Sequence, residues 1–316
     1  MSENNGMVEL YRKYRPSLFK HVLGQEKAVR ILEKLIKADK VPHALMLTGG
    51  SGTGKSTLAF ILRNKLGCSD TDFTEINCAV IDKPTDTVRA IQQTMNAYPM
   101  NGKCRVWLLE EIQAWSKSGF AQQALLNMLE HPPQHAYFFL TTTDPAKIIS
   151  AVKTRCTILP LVLLTDKVVE QSLRSIAEKE GKTLSDEVVA RIVEVAEGSA
   201  RKALVLLHQI ISIEDPEEQL EAIQSSDSKR QAIDLCRALL DSRKKWSEVA
   251  AIIKEIEDEP ETIRRMVLSY ASSVCLGGGK LSARAYVLLL GFESNWYDTG
   301  KAGLVRACFE VFSNKD

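Results

Sequence analysis

Two rhythms of apolar residues divide this chain. From Leu10 to about Val162, short unbroken apolar runs are interleaved with stretches whose apolar positions recur at helical spacing, the signature of a parallel sheet flanked by helices. Ala44 to Thr48, Phe73 to Asn77, Val106 to Leu109 and Tyr137 to Thr141 read as buried strands, and Thr157 to Leu161 as a fifth. After Leu164 the strand runs stop. Lys167 to Lys179, Asp186 to Glu197 and Ala200 to Ile213 carry helical periodicity, separated by Glu180-Gly181 and Gly198-Ser199, so a small three-helix domain is predicted. The polar stretch Glu214 to Ser228 reads as a connection. Beyond it, Arg230 to Phe312 is helical again, broken at Glu259-Pro260 and Gly277-Gly278-Gly279. The predicted division is 1–163, 164–222 and 229–316, which suits a chain of 316 residues, too long for one compact core.

Composition sharpens this picture chiefly by exclusion. With 41 basic and 40 acidic residues there is no overall positive field, so any nucleic-acid contact is local. Seven cysteines, an odd number without a CxxC pair, argue against a disulfide framework or a zinc ribbon and fit a reducing cytoplasm. No run approaches the roughly 20 apolar residues of a membrane span, and the first residues are polar and acidic, so a soluble cytoplasmic protein without a membrane partner is expected.

The strongest chemical signal follows the first strand. Gly49-Gly50-Ser51-Gly52-Thr53-Gly54-Lys55-Ser56 satisfies GxxxxGK[ST] and precedes the helical run Leu58 to Leu66. Its glycines let the backbone curl so that the N–H groups of Gly50, Ser51, Gly52, Thr53 and Gly54 point at phosphate oxygens, and the following helix adds its positive end. Lys55 is expected on the β and γ phosphates, Ser56 on Mg²⁺, and the N–H of Thr57 on the inner phosphate. Val106 to Leu109 then runs into Glu110-Glu111. One carboxylate is placed to hold the metal's water shell and the other to orient an attacking water, which points to hydrolysis of ATP rather than binding alone.

With these residues in place the chain resembles the AAA+ clamp-loader ATPase subunits: replication factor C small subunits, bacterial gamma and tau subunits, and their phage counterparts. The resemblance covers residues 9 to 210. It implies an α/β AAA+ core with a parallel five-stranded sheet, a three-helix lid, and an all-α collar. Leu10-Tyr11-Arg12-Lys13-Tyr14-Arg15-Pro16 with Val22-Leu23-Gly24-Gln25 is similar to the family's adenine-binding motif, from which roles pass to Tyr11, Arg12, Lys13, Tyr14, Val22, Leu23 and Gly24. An aromatic and basic cluster ahead of the first strand also fits a plain surface arm. At the acid pair the family usually has Asp first, so Glu110 departs from it by one methylene.

Further along, Thr141-Thr142-Thr143 resembles the first sensor, with Thr143 the choice and Thr142 the alternative. Thr154-Arg155-Cys156 is similar to the family's Ser-Arg-Cys, which implies that Arg155 serves a neighbouring subunit's ATP. Gly198-Ser199-Ala200-Arg201 resembles the second sensor and implies that Arg201 meets the γ-phosphate. Ala121-Gln122-Gln123-Ala124-Leu125-Leu126 and Glu130-His131-Pro132-Pro133 carry the likeness to clamp loaders in particular.

Partners implied are other loader subunits in a pentameric ring, a sliding clamp and primer-template DNA. Met95, Tyr98 and Met100 would wedge against the clamp, though they serve equally as core. Lys83, Arg89 and Lys117 are candidate DNA-phosphate contacts, though such side chains are commonly only solvated, and Asn77 is implied as a link from DNA to Glu111. The four-cysteine zinc module of bacterial relatives is missing here, where only Cys68 and Cys78 follow the P-loop helix. That absence and the short chain point toward a phage or archaeal-like form. A branch-migration motor, a replication initiator, or a non-hydrolysing ATP-bound scaffold remain alternatives on the shared motifs.

Overall fold

The computed structural model describes residues 9–117, 119–256, 259–296 and 299–314. They form two compact units, Met1–Ser212 and Ile213–Asp316. In the first unit the order is α1 (Leu10–Lys13), α2 (Glu26–Lys37), β1 (Ala44–Thr48), α3 (Lys55–Lys65), β2 (Phe73–Asn77), α4 (Pro84–Thr94), β3 (Arg105–Glu110), α5 (Gly119–Glu130), β4 (Ala136–Thr142), α6 (Ser150–Arg155) and β5 (Thr157–Pro160), then α7 (Asp166–Lys179), α8 (Asp186–Ala196) and α9 (Ala200–Ile210).

The five strands lie parallel in the order β2-β3-β4-β1-β5. Strand periodicity sorts the core into two layers. Ala44, Met46, Trp107, Leu109, Phe138 and Leu140 face α4, α5 and α6 through Val88, Leu125 and Val152. Their alternates Leu45, Leu47, Val106, Leu108 and Phe139 face α2 and α3 through Leu32, Leu58 and Leu62. Strand β1 is buried along its whole length. Both layers feed one functional edge, because every βα turn of a parallel sheet opens at the strands' carboxyl ends.

Two expectations need correction. Strand β2 forms where predicted but is not a buried strand: Thr74, Glu75 and Asn77 are exposed, because β2 is an edge strand with only β3 beside it. The polar stretch Glu214 to Ser228 is not a connection. It belongs to α10 (Pro216–Leu240), whose start is fixed by Asp215, accepting the Glu217 N–H, and by Pro216 in the first turn. Polarity there marks a solvated helix face rather than a loop.

The lid helices pack through Val169, Leu173, Val188, Ile192, Leu206 and Leu207, and Ser185 and Ser199 cap α8 and α9 by accepting the N–H groups of Val188 and Lys202, each at 3.3 Å. In the second unit, α10 is followed by α11 (Trp246–Glu255), α12 (Pro260–Leu276), α13 (Ser282–Gly291) and α14 (Gly300–Ser313). They share a core that includes Leu235, Leu239, Ile253, Val267, Leu288, Phe292 and Leu304. Among the described residues, no helix is long and apolar enough to cross a membrane.

Candidate nucleotide site

The loop Gly49–Gly54 leaves β1 and turns into α3. Gly52 and Gly54 hold φ of +76° and +95°, which a side chain would resist. Gly54 is the residue before α3, and a Cβ there would meet nothing within 4 Å. Lys55 opens the helix. Its ammonium is buried and donates to the carbonyls of Gly49 and Gly50, each at 2.8 Å. Burial pulls its pKa below the usual lysine value, opposed by the carboxylates of Glu111 and Glu110. Thr53, also buried, ties the loop by donating to Gly50 O at 3.0 Å.

The acid pair is split by its backbone. Glu110 is the last residue of β3, and Glu111 takes a left-handed φ of +53°, unusual for a residue with a side chain. Successive carboxylates therefore aim at different elements. Glu110 accepts from the Ser56 hydroxyl on α3. Glu111 accepts from Gln113 Nε2 and, at 3.1 Å, from the Thr143 hydroxyl at the end of β4. Gln113 also donates to Thr143 Oγ1 at 2.8 Å and accepts from Thr142 Oγ1 at 2.7 Å. The hydroxyl of Thr143 thus meets Glu111 directly, whereas the fully buried Thr142 reaches it only through Gln113.

The lid approaches the loop at one point. A Cβ on Gly52 would lie 2.1 Å from Ser199 Oγ and 3.1 Å from Arg201 Cβ, so only glycine lets the start of α9 come this close. The Arg201 guanidinium stacks over the Tyr11 ring at 4.8 Å. Helix α1 is tied to the lid a second time, through Tyr14 and Lys13 on Glu180, the latter at 2.7 Å. Arg12 is exposed and donates to Tyr11 Oη at 3.0 Å. Val22 is half-buried, and Leu23 is exposed. At Gly24, φ is +69° and a Cβ would lie 2.4 Å from Leu164 Cδ2. The N-terminal cluster is thus fastened to the lid rather than free as a surface arm.

Four further side chains join this constellation, none of them expected to act in it. Gln25 is buried, donates to Val162 O at 2.6 Å and Thr53 O at 3.3 Å, and accepts from Val162 N, knitting the N-terminal motif to the loop and to the lid junction. Gln113 bridges Glu111 and the threonines. Arg15 reaches Thr57 Oγ1 at 3.3 Å and stacks over Phe60 at 4.2 Å. Glu75, on β2, lies by Glu110; desolvation and that carboxylate raise its pKa, and Arg15 opposes the rise. Gln25 sat within the quoted N-terminal motif, and Gln113 is two residues from Glu111. Arg15 too sits within that N-terminal motif, whereas Glu75 has no signal beyond its place on a strand.

The remaining predicted residues lie elsewhere. Arg155, at the end of α6, donates to Glu130 Oε2 at 2.9 and 2.7 Å and to Ala151 O at 3.0 Å. Asn77 is exposed, and its side chain accepts from the Ala79 N–H at 3.0 Å. Met95 is partly buried against the sheet core, whereas Tyr98 and Met100 are exposed, so the predicted wedge divides between core and surface. Lys83 and Arg89 lie exposed on or beside α4, with Arg89 paired to Asp86. The side chain of Lys117 lies outside the described residues.

The donor set fits a triphosphate with Mg²⁺. The hard oxygens of Ser56 and Glu110, beside a glycine loop with a helix N-terminus and an ammonium, match that metal's preference for carboxylate, hydroxyl and phosphate oxygen. A parallel sheet bearing this loop and acid pair, with a helical lid, defines a P-loop ATPase fold of the AAA+ type. A family model described as DNA polymerase III, delta subunit, matches residues 71–164, and one described as Sigma-54 interaction domain matches residues 22–90.

DNA polymerase III subunit gamma of Buchnera aphidicola is 31% identical, over 65% of this chain and 61% of the relative. DNA polymerase III subunit tau of Escherichia coli is 29% identical, over 78% of this chain and 41% of the relative. The chain therefore spans less than two thirds of these curated relatives. The Thermotoga maritima RuvB Holliday junction branch migration motor shares the fold, with a TM-score of 0.57 at 20% identity over 76% of this chain and 85% of that one. The chain is thus similar to clamp-loader subunits of DNA polymerase III and shares the AAA+ fold.

Proposed function

We propose that this protein is an ATP-hydrolysing subunit of a sliding-clamp loader, working in the cytoplasm with other loader subunits in a pentameric ring, a clamp and primer-template DNA. The observation that carries the reading is the divergence of two adjacent carboxylates, Glu110 onto Ser56 and Glu111 onto Thr143, beside the glycine loop. Gly50 to Gly54 and Thr57 would present N–H groups to phosphates, Lys55 would leave the loop carbonyls for the β and γ oxygens, and Ser56 and Glu110 would hold the metal. Bound Mg²⁺ would supply charge neutralisation at the phosphates. Glu111 takes a proton from the attacking water, held in place by Thr143 and Gln113. Tyr11 to Tyr14 and Val22 to Gly24 enclose the adenine, and Arg201 reports the γ-phosphate to the lid.

Arg155 acts in trans in this reading. Its present partner is Glu130, in a partly exposed ion pair of the kind that contributes little and is readily exchanged. Helices α7 to α9 serve as the lid and α10 to α14 as the collar, where Tyr286, Leu290 and Phe309 are exposed apolar side chains suited to subunit contact. Tyr98 and Met100 face the clamp, with Lys83, Arg89 and Lys117 offered to DNA phosphates. The test is ATP turnover by the full chain with its partner subunits, with and without clamp and primer-template DNA. Stimulation requiring both supports the reading. Stimulation by DNA alone would indicate a motor, and binding without turnover a scaffold.

A further inference from the structure

The loop that joins α4 to β3 presents Tyr98 and Met100 at 82% and 77% exposure. Large apolar side chains held this far into water gain by meeting a partner, and do so best on a backbone that is already rigid. Here the backbone is fastened from beneath. Asp72, 2% exposed and just ahead of β2, accepts the successive N–H groups of Met100 at 2.6 Å, Asn101 at 3.0 Å and Gly102 at 2.7 Å, and the Ser69 hydroxyl at 2.5 Å. Three consecutive N–H groups converging on one anion form a nest, filled by the chain's own carboxylate.

Neighbouring contacts brace the same loop. Asn101 Nδ2 donates to Thr71 Oγ1 at 3.1 Å. Gly102 fits only without a side chain, since a Cβ would lie 2.6 Å from Ser69 N. At the loop's other end Arg105 donates to Thr94 O at 2.8 Å, and Tyr98 stacks on His135 with centroids 5.0 Å apart. The Ser69 hydroxyl, with the three N–H groups, holds the Asp72 carboxyl far below the usual carboxylate range.

We propose that Asp72 is a positioning residue for clamp binding, its carboxylate holding loop 98–102 in the shape that offers Tyr98 and Met100 to the clamp. The inference rests on the clamp-loader reading and adds the residue that builds its contact surface. In Asp72→Asn one acceptor oxygen becomes an NH₂ that confronts backbone donors, so the nest opens while side-chain volume is kept.

The test is fluorescence anisotropy of the labelled clamp of the same replication system, titrated with the full chain in Mg·ATP. Nucleotide affinity and thermal unfolding are measured on the same samples. Tyr98→Ser/Met100→Ser and Asp72→Asn are each expected to weaken clamp binding by about tenfold or more while ATP affinity holds. Ser69→Ala, which removes one of four donors, is expected to give a smaller loss and decides the matter if Asp72→Asn fails to fold. Unchanged binding by the Tyr98/Met100 double variant would sink the assignment of this loop to the clamp. Loss in that double variant, with wild-type binding by Asp72→Asn and Ser69→Ala, would leave the assignment standing and overturn the role of Asp72.

Discussion

The Thr143 hydroxyl donates to the Glu111 carboxylate across 3.1 Å, joining the end of β4 to the residue that follows β3. In the proposed function Glu111 activates the attacking water, which requires its lone pair to be aimed, and two donors, Thr143 and Gln113, hold its carboxylate. Thr143→Ala is expected to lower kcat by about tenfold or more with little change in KM, because positioning is lost while phosphate binding is kept. Steady-state ATPase of the assembled complex checks this.

Gly52 sets how near the lid can come. With φ of +76° and Ser199 Oγ 2.1 Å from where a Cβ would stand, Gly52→Ala meets both strain and collision. The left-handed backbone alone costs about 1–2 kcal/mol, and relief comes by moving the start of α9, which carries Arg201. Weaker ATP affinity, by about tenfold, is expected from equilibrium titration with a fluorescent analogue. Wild-type affinity would show that the contact has no part in binding.

Arg155 donates to Glu130 and Ala151 within its own chain. Arg155→Ala is expected to leave ATP binding by the isolated chain intact and to lower turnover of the assembled ring by about 10³-fold or more at the site it serves. Mixing the variant with wild-type subunits locates the defect at the neighbour's nucleotide. Loss of binding by the isolated chain would contradict a role in trans.

A pH effect is expected in the second unit. Glu261 is buried on α12, receives Arg264 Nε and Nη2 and, at 3.1 Å, the Trp296 N–H, and its pKa is lowered to about 2, first by Arg264. Because the folded value lies below the ordinary 4.5, the stabilisation is fully present above that pH and is lost as pH falls from 4.5 towards 2. Protection of α12 amides, taken relative to the intrinsic exchange rate at each pH, is expected to fall over that window. In Glu261→Gln protection is lower throughout, and its dependence on pH in that window is flatter.

The sheet strands and the phosphate loop were legible because each rests on local pattern: unbroken apolar runs for buried strands, and glycines at fixed spacing for the turn. What local pattern could not supply was neighbour order. Phe73 to Asn77 reads as a buried strand, and only the sheet order reveals it as an edge. Glu214 to Ser228 reads as a linker because it is polar, although Asp215-Pro216 is a helix start. Gln25, Arg15 and Glu75 meet the loop and Glu110 from segments remote in sequence, so no spacing rule points to them. The positive φ of Glu111, which separates the two acids, belongs to backbone geometry that residue types do not encode.

In the proposed function Glu111 activates water beside a triphosphate held by the glycine loop. Its most direct test is Glu111→Gln, measured for ATP binding and for single-turnover hydrolysis in the assembled complex. The expected result is ATP bound as tightly as by the wild type, with hydrolysis slower by about 10²-fold or more. Hydrolysis at the wild-type rate, or loss of ATP binding along with it, would contradict the claim.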